Sequence, residues 1–308
     1  MKDNYKYYKN RNKNVHIRRK RLLILTIIII ILGGFAASII NEKLSATSKN
    51  VQALASDDSV ESKQNNNSND SKEENAKDTS KSDSIVDDVA SVEKFLNQQK
   101  TEDTDSKKVV YLSFDDGPSE TNTPSILKIL KDENVKATFF VLGKSIDQSE
   151  TNKKLLKQEV AEGHAIGNHT YSHNYKYLYP HGRVNTNNFI SDINKTNESL
   201  KKVLGEDFST RAIRFPGGHM SWKNTDEIDK IMKEKGYYYI DWNALSKDAE
   251  GPRKNAEQLT EEVKKTVGNK TKTVILMHDT YGKEETAKAL PGIIKYLKNQ
   301  GYEFRTFK

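Results

Sequence analysis

The chain falls into three stretches of different polarity. Residues 22–40 read LLILTIIIIILGGFAASII, nineteen positions without a charge or a polar face. As a helix this run would rise about 28 Å, close to the roughly 30 Å hydrocarbon thickness of a bilayer. From Asn41 to Ser106 the pattern inverts. Ser, Asn, Asp, Lys and Glu dominate, and Phe95 is the single aromatic. Such a stretch buries too little apolar area to offset chain entropy, so 41–106 is expected to be a disordered linker. A short helical pattern occurs within it at 84–99. As a random coil the linker would reach roughly 40–50 Å.

From Lys107 the pattern becomes that of a folded domain. Apolar runs of strand type recur at 109–114, 137–142, 165–167, 212–215, 237–242, 273–277 and 302–307. Between them lie stretches of helical period at 124–133, 151–162, 187–204, 226–235, 255–267 and 286–299. Pro124 fits a first helical turn, and Gly163, Gly205, Gly236 and Gly301 fit helix C-termini. This alternation predicts an α/β fold with parallel strands over 107–308. An incomplete barrel and an open sheet fit it equally well.

Composition and charge sharpen this division. Only 34% of residues are hydrophobic, which agrees with a large unpacked portion. The net charge of +7 is unevenly spread. Residues 1–21 carry nine Lys/Arg against one Asp, and 41–106 carry eight basic against fifteen acidic residues. That asymmetry argues against a nucleic-acid binder. Arg18-Arg19-Lys20-Arg21 stands directly before the apolar run. The positive-inside rule therefore predicts a cytoplasmic stem at 1–21, a single membrane-spanning anchor at 22–40 and an extracellular folded domain. A cleaved signal peptide with release of the domain is the alternative, with Gly34-Phe35-Ala36 as a weak cleavage site. Cysteine is absent, which excludes disulfide scaffolds, thiol nucleophiles and Cys-ligated metal. Any metal must be held by His and carboxylate.

Chemistry-bearing residues gather where the predicted strands end. Asp115-Asp116-Gly117-Pro118 follows the first, and His169-Thr170-Tyr171-Ser172-His173 the third. Arg214-Phe215-Pro216-Gly217-Gly218 closes the fourth, and Asp241 to Asp248 follows the fifth. His278-Asp279 follows the sixth. The C-terminal ends of parallel strands converge on one face, where sites of α/β folds are built. His169 and His173 are four apart, a spacing that puts two imidazoles on one side of a helical turn. Two histidines and one carboxylate are a catalytic zinc set with a position open for water. Asp-Asp-Gly-Pro also fits a turn closed by an Asx bond. Beside the histidine pair it is read as part of a site, because adjacent buried carboxylates need a cation.

These segments, with Ser113-Phe114 before the first Asp, Ser246-Lys247-Asp248 and Leu276-Met277-His278, resemble in order the five motifs of the polysaccharide deacetylases, the NodB-type carbohydrate esterases. The resemblance covers about residues 107–308. It implies a distorted (β/α)7 barrel that uses one divalent ion, zinc first among them, to remove acetyl groups from N-acetylated sugars. By resemblance Asp116, His169 and His173 are the metal ligands and Asp115 is the base. Strand alternation is expected to turn the two aspartates apart. His278 is the candidate acid, oriented by Asp248, with Asp241 competing for that place. Arg214 is expected to hold Asp115, and the Gly217 N–H to meet the oxyanion. Leu276 resembles the apolar wall behind the acetyl methyl. Many relatives carry an aromatic where this chain has Gly217 and another where it has Ala249. Tyr171, Trp222 and Trp242 are candidates for stacking on sugar, with core packing an equal reading for Trp242. His164 reads as structural or as support for the site, and His181 and His219 as exposed loop.

The expected substrate is the N-acetylglucosamine of peptidoglycan. N-acetylmuramic acid, poly-N-acetylglucosamine, chitin and xylan follow. A catalytically inactive glycan-binding module is a second class, and a zinc peptidase of wall peptides a third. The peptidase is disfavoured because no Glu follows His169.

Overall fold

In the computed structural model the described residues are 86–97 and 107–308. The stem 1–21, the apolar run 22–40 and most of the linker lie outside them. Among the described residues no helix is long and apolar enough to cross a membrane.

A short strand β1 (Val86–Asp87) and helix α1 (Val89–Asn97) precede β2 (Val109–Asp115). There follow α2 (Thr123–Asp132), β3 (Thr138–Val141), α3 (Gly143–Asp147), α4 (Glu150–Ala161) and β4 (Ala165–Asn168). Next come α5 (Tyr175–Leu178), α6 (Thr186–Leu204), β5 (Ala212–Ile213), α7 (Asp226–Glu234), β6 (Tyr238–Tyr239) and β7 (Ala244–Leu245). The chain ends with α8 (Ala256–Val267), β8 (Lys272–His278), α9 (Glu284–Asn299), β9 (Glu303–Phe304) and β10 (Thr306–Phe307). The six helices expected from periodicity all form. Pro124 stands in the first turn of α2, where a missing N–H costs nothing. Gly163, Gly205, Gly236 and Gly301 take positive φ after their helices.

The main sheet runs β6-β5-β4-β3-β2-β8-β7, all parallel, with β9 pairing the start of β2. Its two edge strands, β6 and β7, are consecutive in the chain and separated only by residues 240–243. A flat sheet of that order would put its edges about 29 Å apart. The link reaches at most about 18 Å. The sheet must therefore curl, and the alternation that left barrel and open sheet undecided resolves to a curled half-barrel. The link itself forms the seam. Ile240 N–H donates to Ile213 O on one side, and Asn243 N–H to Val274 O on the other. One strand was expected at 237–242. Only β6 forms within that range, because the carbonyls of Ile240 and Asp241 turn inward to the Arg214 side chain, and β7 begins beyond it.

Period-two alternation sorts the strands' side chains. Val110, Leu112 and Phe114 of β2 point outward into the core shared with the helices, as do Ile275 and Met277 of β8. Val109 and Tyr111 point inward with Val274, Phe140 and Ile240. The inward column of β2 continues through Ser113 to Asp115, and that of β8 through Leu276 to His278. Asp115 and His278 are direct register partners on neighbouring strands. Strand parity and pairing alone thus bring a carboxylate and an imidazole together at the barrel's mouth.

The linker boundary at Lys107 needs correction. Residues 86–97 are folded onto the base of the barrel. β1 pairs in parallel with β10. Val89 and Val92 are fully buried against Val109, Tyr111, Phe140, Val274 and Phe307. The Tyr111 hydroxyl donates to Asp87, Arg211 pairs with Asp88, and Tyr239 N–H donates to Glu93 at 2.8 Å. The composition of 41–106 hides this because the apolar area of α1 is small. It suffices only because the open base of the barrel receives it.

A chain beginning at Lys107 should therefore melt below one beginning at Asp78. Val89→Ala and Val92→Ala in the longer chain should each cost about 2 kcal/mol. Denaturant unfolding of the variants checks this, and equal midpoints for all would contradict a packed floor.

Candidate active site

Asp115 is the last residue of β2, and Asp116 turns the chain away with φ 74°. This left-handed turn, rather than strand alternation, separates the two carboxylates. The next residue must be glycine, since a Cβ on Gly117 would meet the Asp279 carboxylate at 2.2 Å. Asp116 N–H donates to Phe140 O, and Gly117 O accepts from Leu142 N–H, so the turn is tied to the end of β3.

The histidine pair does not lie on a helix, contrary to the expectation from its spacing. His169 and His173 bracket a loop after β4 in which Thr170 and His173 take φ of 69° and 51°. The loop is organised from outside. Asn168 Oδ1 accepts from Thr170 N–H. Asp192 of α6 accepts from the Tyr171 and Ser172 N–H groups and from the Ser172 hydroxyl. The two rings end 5.0 Å apart. Asp192 has no local sequence signal, because it acts from a helix twenty residues away.

Asp116, His169 and His173 bring one ligand atom each within 4.8 Å of one another. Asp116 Oδ1 lies 3.6 Å from His169 Nε2 and 3.4 Å from His173 Nε2. That oxygen is buried and has no hydrogen-bond partner. His169 Nδ1 lies 2.8 Å from Arg214 O, which can only accept. Nδ1 therefore carries the proton, and the Nε2 lone pair faces the cluster. Burial, with His173 beside it, pushes the His169 pKa down to about 3, which keeps the ring neutral. An orphaned buried oxygen and a neutral imidazole of the right tautomer fit a divalent cation.

Asp115 stands beside this cluster, its Oδ2 3.5 Å from His169 Nε2. Its Oδ1 accepts from Arg214 Nη1 at 2.8 Å. Burial pushes the Asp115 carboxyl up, and the Arg214 guanidinium and His278 pull against it. His278 Nδ1 lies 2.8 Å from Asp248 Oδ1, and its backbone N–H donates to Oδ2 at 2.9 Å. Thr286 also donates to Oδ2. Burial works against the imidazolium, but Asp248 outweighs it and raises the His278 pKa to about 9. Burial likewise works to raise the Asp248 pKa. The bonds from His278 and Thr286 prevail and hold it below the usual carboxylate range. Asp241, the other candidate for this place, accepts instead from the His219 N–H.

A cleft of about 290 Å³ joins these groups, walled by Tyr175, Gly217, Trp242 and Leu276. A larger cavity of about 740 Å³ opens at the other end of the strands, around Val86, Ile166 and Arg211, away from this chemistry. Tyr171 does not reach the cleft. It packs on Gly143 and lies under Lys195 Nζ at 3.6 Å, because the loop turns outward at Thr170. Trp222 lies flat on Tyr179, 3.8 Å between ring centres, and donates to Pro216 O. It supports the Gly217 loop from behind. Tyr175, two residues past His173, takes the wall position that Tyr171 was expected to fill. His164 is structural: its Nδ1 accepts from Ala137 N–H. His219 is buried, stacked on Tyr239 and bonded to Asp229 at 2.7 Å, and so is not the exposed residue expected.

Comparison with known proteins agrees with this geometry. A model of the polysaccharide deacetylase family matches residues 102–240. A peptidoglycan-N-acetylglucosamine deacetylase of Bacillus cereus is 32% identical over 204 residues, 65% of this chain and 70% of that protein. Peptidoglycan-N-acetylglucosamine deacetylase PgdA of Listeria monocytogenes is 34% identical over 201 residues, 65% of this chain and 38% of its own length. The structure of a Streptococcus mutans CE4 esterase superposes with a TM-score of 0.66 at 35% identity, over 72% of this chain and 92% of that one.

Two outcomes follow from the electrostatics. His169→Ala and His173→Ala should each lose the bound divalent ion, about one per parent chain, by elemental analysis. Arg214→Met should cost about 3–5 kcal/mol in denaturant unfolding, since it strands the Asp115 carboxylate in the interior. Adding Asp115→Leu should recover part of that loss, and no recovery would mean that the ion pair is not the source.

Proposed function

The chain belongs to the polysaccharide deacetylase family, hydrolases of N-acetyl amide bonds, and on that premise we propose that it deacetylates the N-acetylglucosamine of peptidoglycan with one divalent ion, zinc, in its site. One observation carries the reading. The three-donor cluster of Asp116, His169 and His173 has a carboxylate on one side, Asp115, and a protonated imidazole, His278, on the neighbouring strand. A divalent ion held by the cluster would supply Lewis acidity to the acetyl carbonyl and acidify the attacking water.

The chain's own residues supply the proton transfers. Asp115, ionised by its bond to Arg214, takes a proton from the attacking water. His278, kept protonated by Asp248, gives one to the departing amine. The N–H of Gly217, which donates to no acceptor among the described residues, is free to meet the charge that develops on the carbonyl oxygen. Leu276 and Trp242 offer apolar wall to the acetyl group and sugar. The relatives named for peptidoglycan support the choice of glycan. The basic stem, apolar run and polar linker support a membrane-anchored enzyme with its domain outside the cell. Protease added to wall-stripped cells should remove the domain, and survival until lysis would reverse the orientation.

Released acetate from purified wall measures the reaction. Asp115→Asn should lower turnover on the order of 10²–10⁴-fold while keeping the metal. The wild-type pH profile should be bell-shaped. As pH rises through about 9, His278 loses the proton that the amine needs, so activity falls there. As pH drops, Asp115 takes up a proton, and burial sets that limb above the ordinary carboxylate range. Asp248→Asn removes the charge that raises the His278 pKa and should move the alkaline limb to lower pH. An unmoved limb would take the acid role away from His278.

A further inference from the structure

Gly217 leaves a gap in the wall of the cleft, and a hydroxyl fills it. A Cβ built on Gly217 would meet Tyr175 Oη and Trp222 Cζ2, each at 3.2 Å. Gly217 has φ 80°, so its backbone is also set for glycine. The Tyr175 phenol thus stands against Gly217, and both residues line the cleft. It donates to no acceptor among the described residues, and no described donor reaches it. Nor is its place accidental. The Asn174 side chain accepts from Lys176 and Tyr177 N–H and so caps α5, which carries Tyr175. The ring lies 5.2 Å from that of His173 and 5.3 Å from that of Trp222. Aromatic contact on two sides leaves it little rotamer freedom, while 45% of the residue stays open to solvent.

Resting on the proposed deacetylation, we propose that Tyr175 is a catalytic residue whose hydroxyl is a second oxyanion donor beside the Gly217 N–H. As water oxygen bonds to the acetyl carbon, its proton passes to Asp115 and the carbonyl π pair moves onto oxygen. The Tyr175 O–H and Gly217 N–H point hydrogens at that oxygen and keep them. When the C–N bond breaks, the pair returns to the carbonyl and the nitrogen leaves with the proton of His278. Two donors, one at the start of α5 and one on the Gly217 loop, are fixed before substrate arrives and stabilise the charge without reorganising. A phenol suits the role because its O–H rotates to the acceptor while its ring stays packed.

Tyr175→Phe in the full chain tests this, since it removes one oxygen and keeps the ring contacts. Turnover on N-acetylated wall glycan should fall about 10²-fold with KM within about twofold and metal content unchanged. Acetate, the product, is a second probe: its carboxylate oxygen takes the same donors, and its affinity for the metal-loaded protein should drop several-fold in the variant. Wild-type turnover in Tyr175→Phe would overturn the assignment. So would a loss confined to KM, which would make the residue a sugar platform. Were the parent chain inactive on every glycan, the proposed function would fall, and equal acetate affinity in the two proteins would then overturn the donor as well.

Discussion

A guanidinium with no exposure to solvent holds this barrel together from inside. Arg214 donates through Nε to Ile240 O, through Nη1 to Ser113 Oγ and Asp115 Oδ1, and through Nη2 to Asp241 O. Its plane lies over the Phe140 ring at 3.9 Å. A buried charge is tolerated only when paired and hydrogen-bonded, so each of these partners is constrained by it. The seam carbonyls must turn inward, Ser113 must accept, and Asp115 must be ionised. Its own carbonyl, meanwhile, accepts from His169 Nδ1 and sets the tautomer of the imidazole that turns Nε2 to the Asp116 cluster. One residue therefore fixes the Asp115 carboxylate with its side chain and the His169 ring with its backbone.

The mouth of the barrel divides charge in a way that fits a cation. Asp115 and His278 each have a buried partner, Arg214 and Asp248, on the side away from the cluster. Asp116 Oδ1 has none. Asp115 and His278 both shift upward, from opposite causes. Burial raises Asp115 against the pull of Arg214, and Asp248 raises His278 against burial. A carboxylate ready to accept and an imidazolium ready to donate can then coexist near neutral pH. The backbone bears a cost for this placement. Asp116, Thr170 and His173 all take left-handed φ, a conformation that costs about 1–2 kcal/mol per residue. Asp192 and the end of β3 hold those turns in place.

The floor of the barrel is continuous with the site above it. Val89 and Val92 of α1 pack into the same interior cluster as Phe140 and Ile240. Phe140 carries the Arg214 guanidinium, and Ile240 supplies one of its acceptors. A segment N-terminal to the family match thus supports the layer on which Asp115 is mounted.

The order of strands and helices was legible from periodicity, because each element of 107–308 with a wide apolar face needs that face buried wherever it ends up. The strand-end chemistry was legible too, since Asp115, Asp116, His169, His173, Arg214, Asp248 and His278 all follow apolar runs whose ends must meet on one face of a parallel sheet. What depends on contacts between distant segments was not. The floor helix at 89–97 looks like linker until the barrel's base receives it. The choice of Asp248 over Asp241 rests on which loop reaches His278, and strand alternation says nothing of loops. Tyr171 and Tyr175 are both aromatics near the histidine pair, and only the left-handed turn at Thr170 decides which one faces the cleft. Sequence determines what a residue can do and which face of its element it occupies. Tertiary structure decides who meets it there, because pairing and burial across long separations set both the partner and the protonation state.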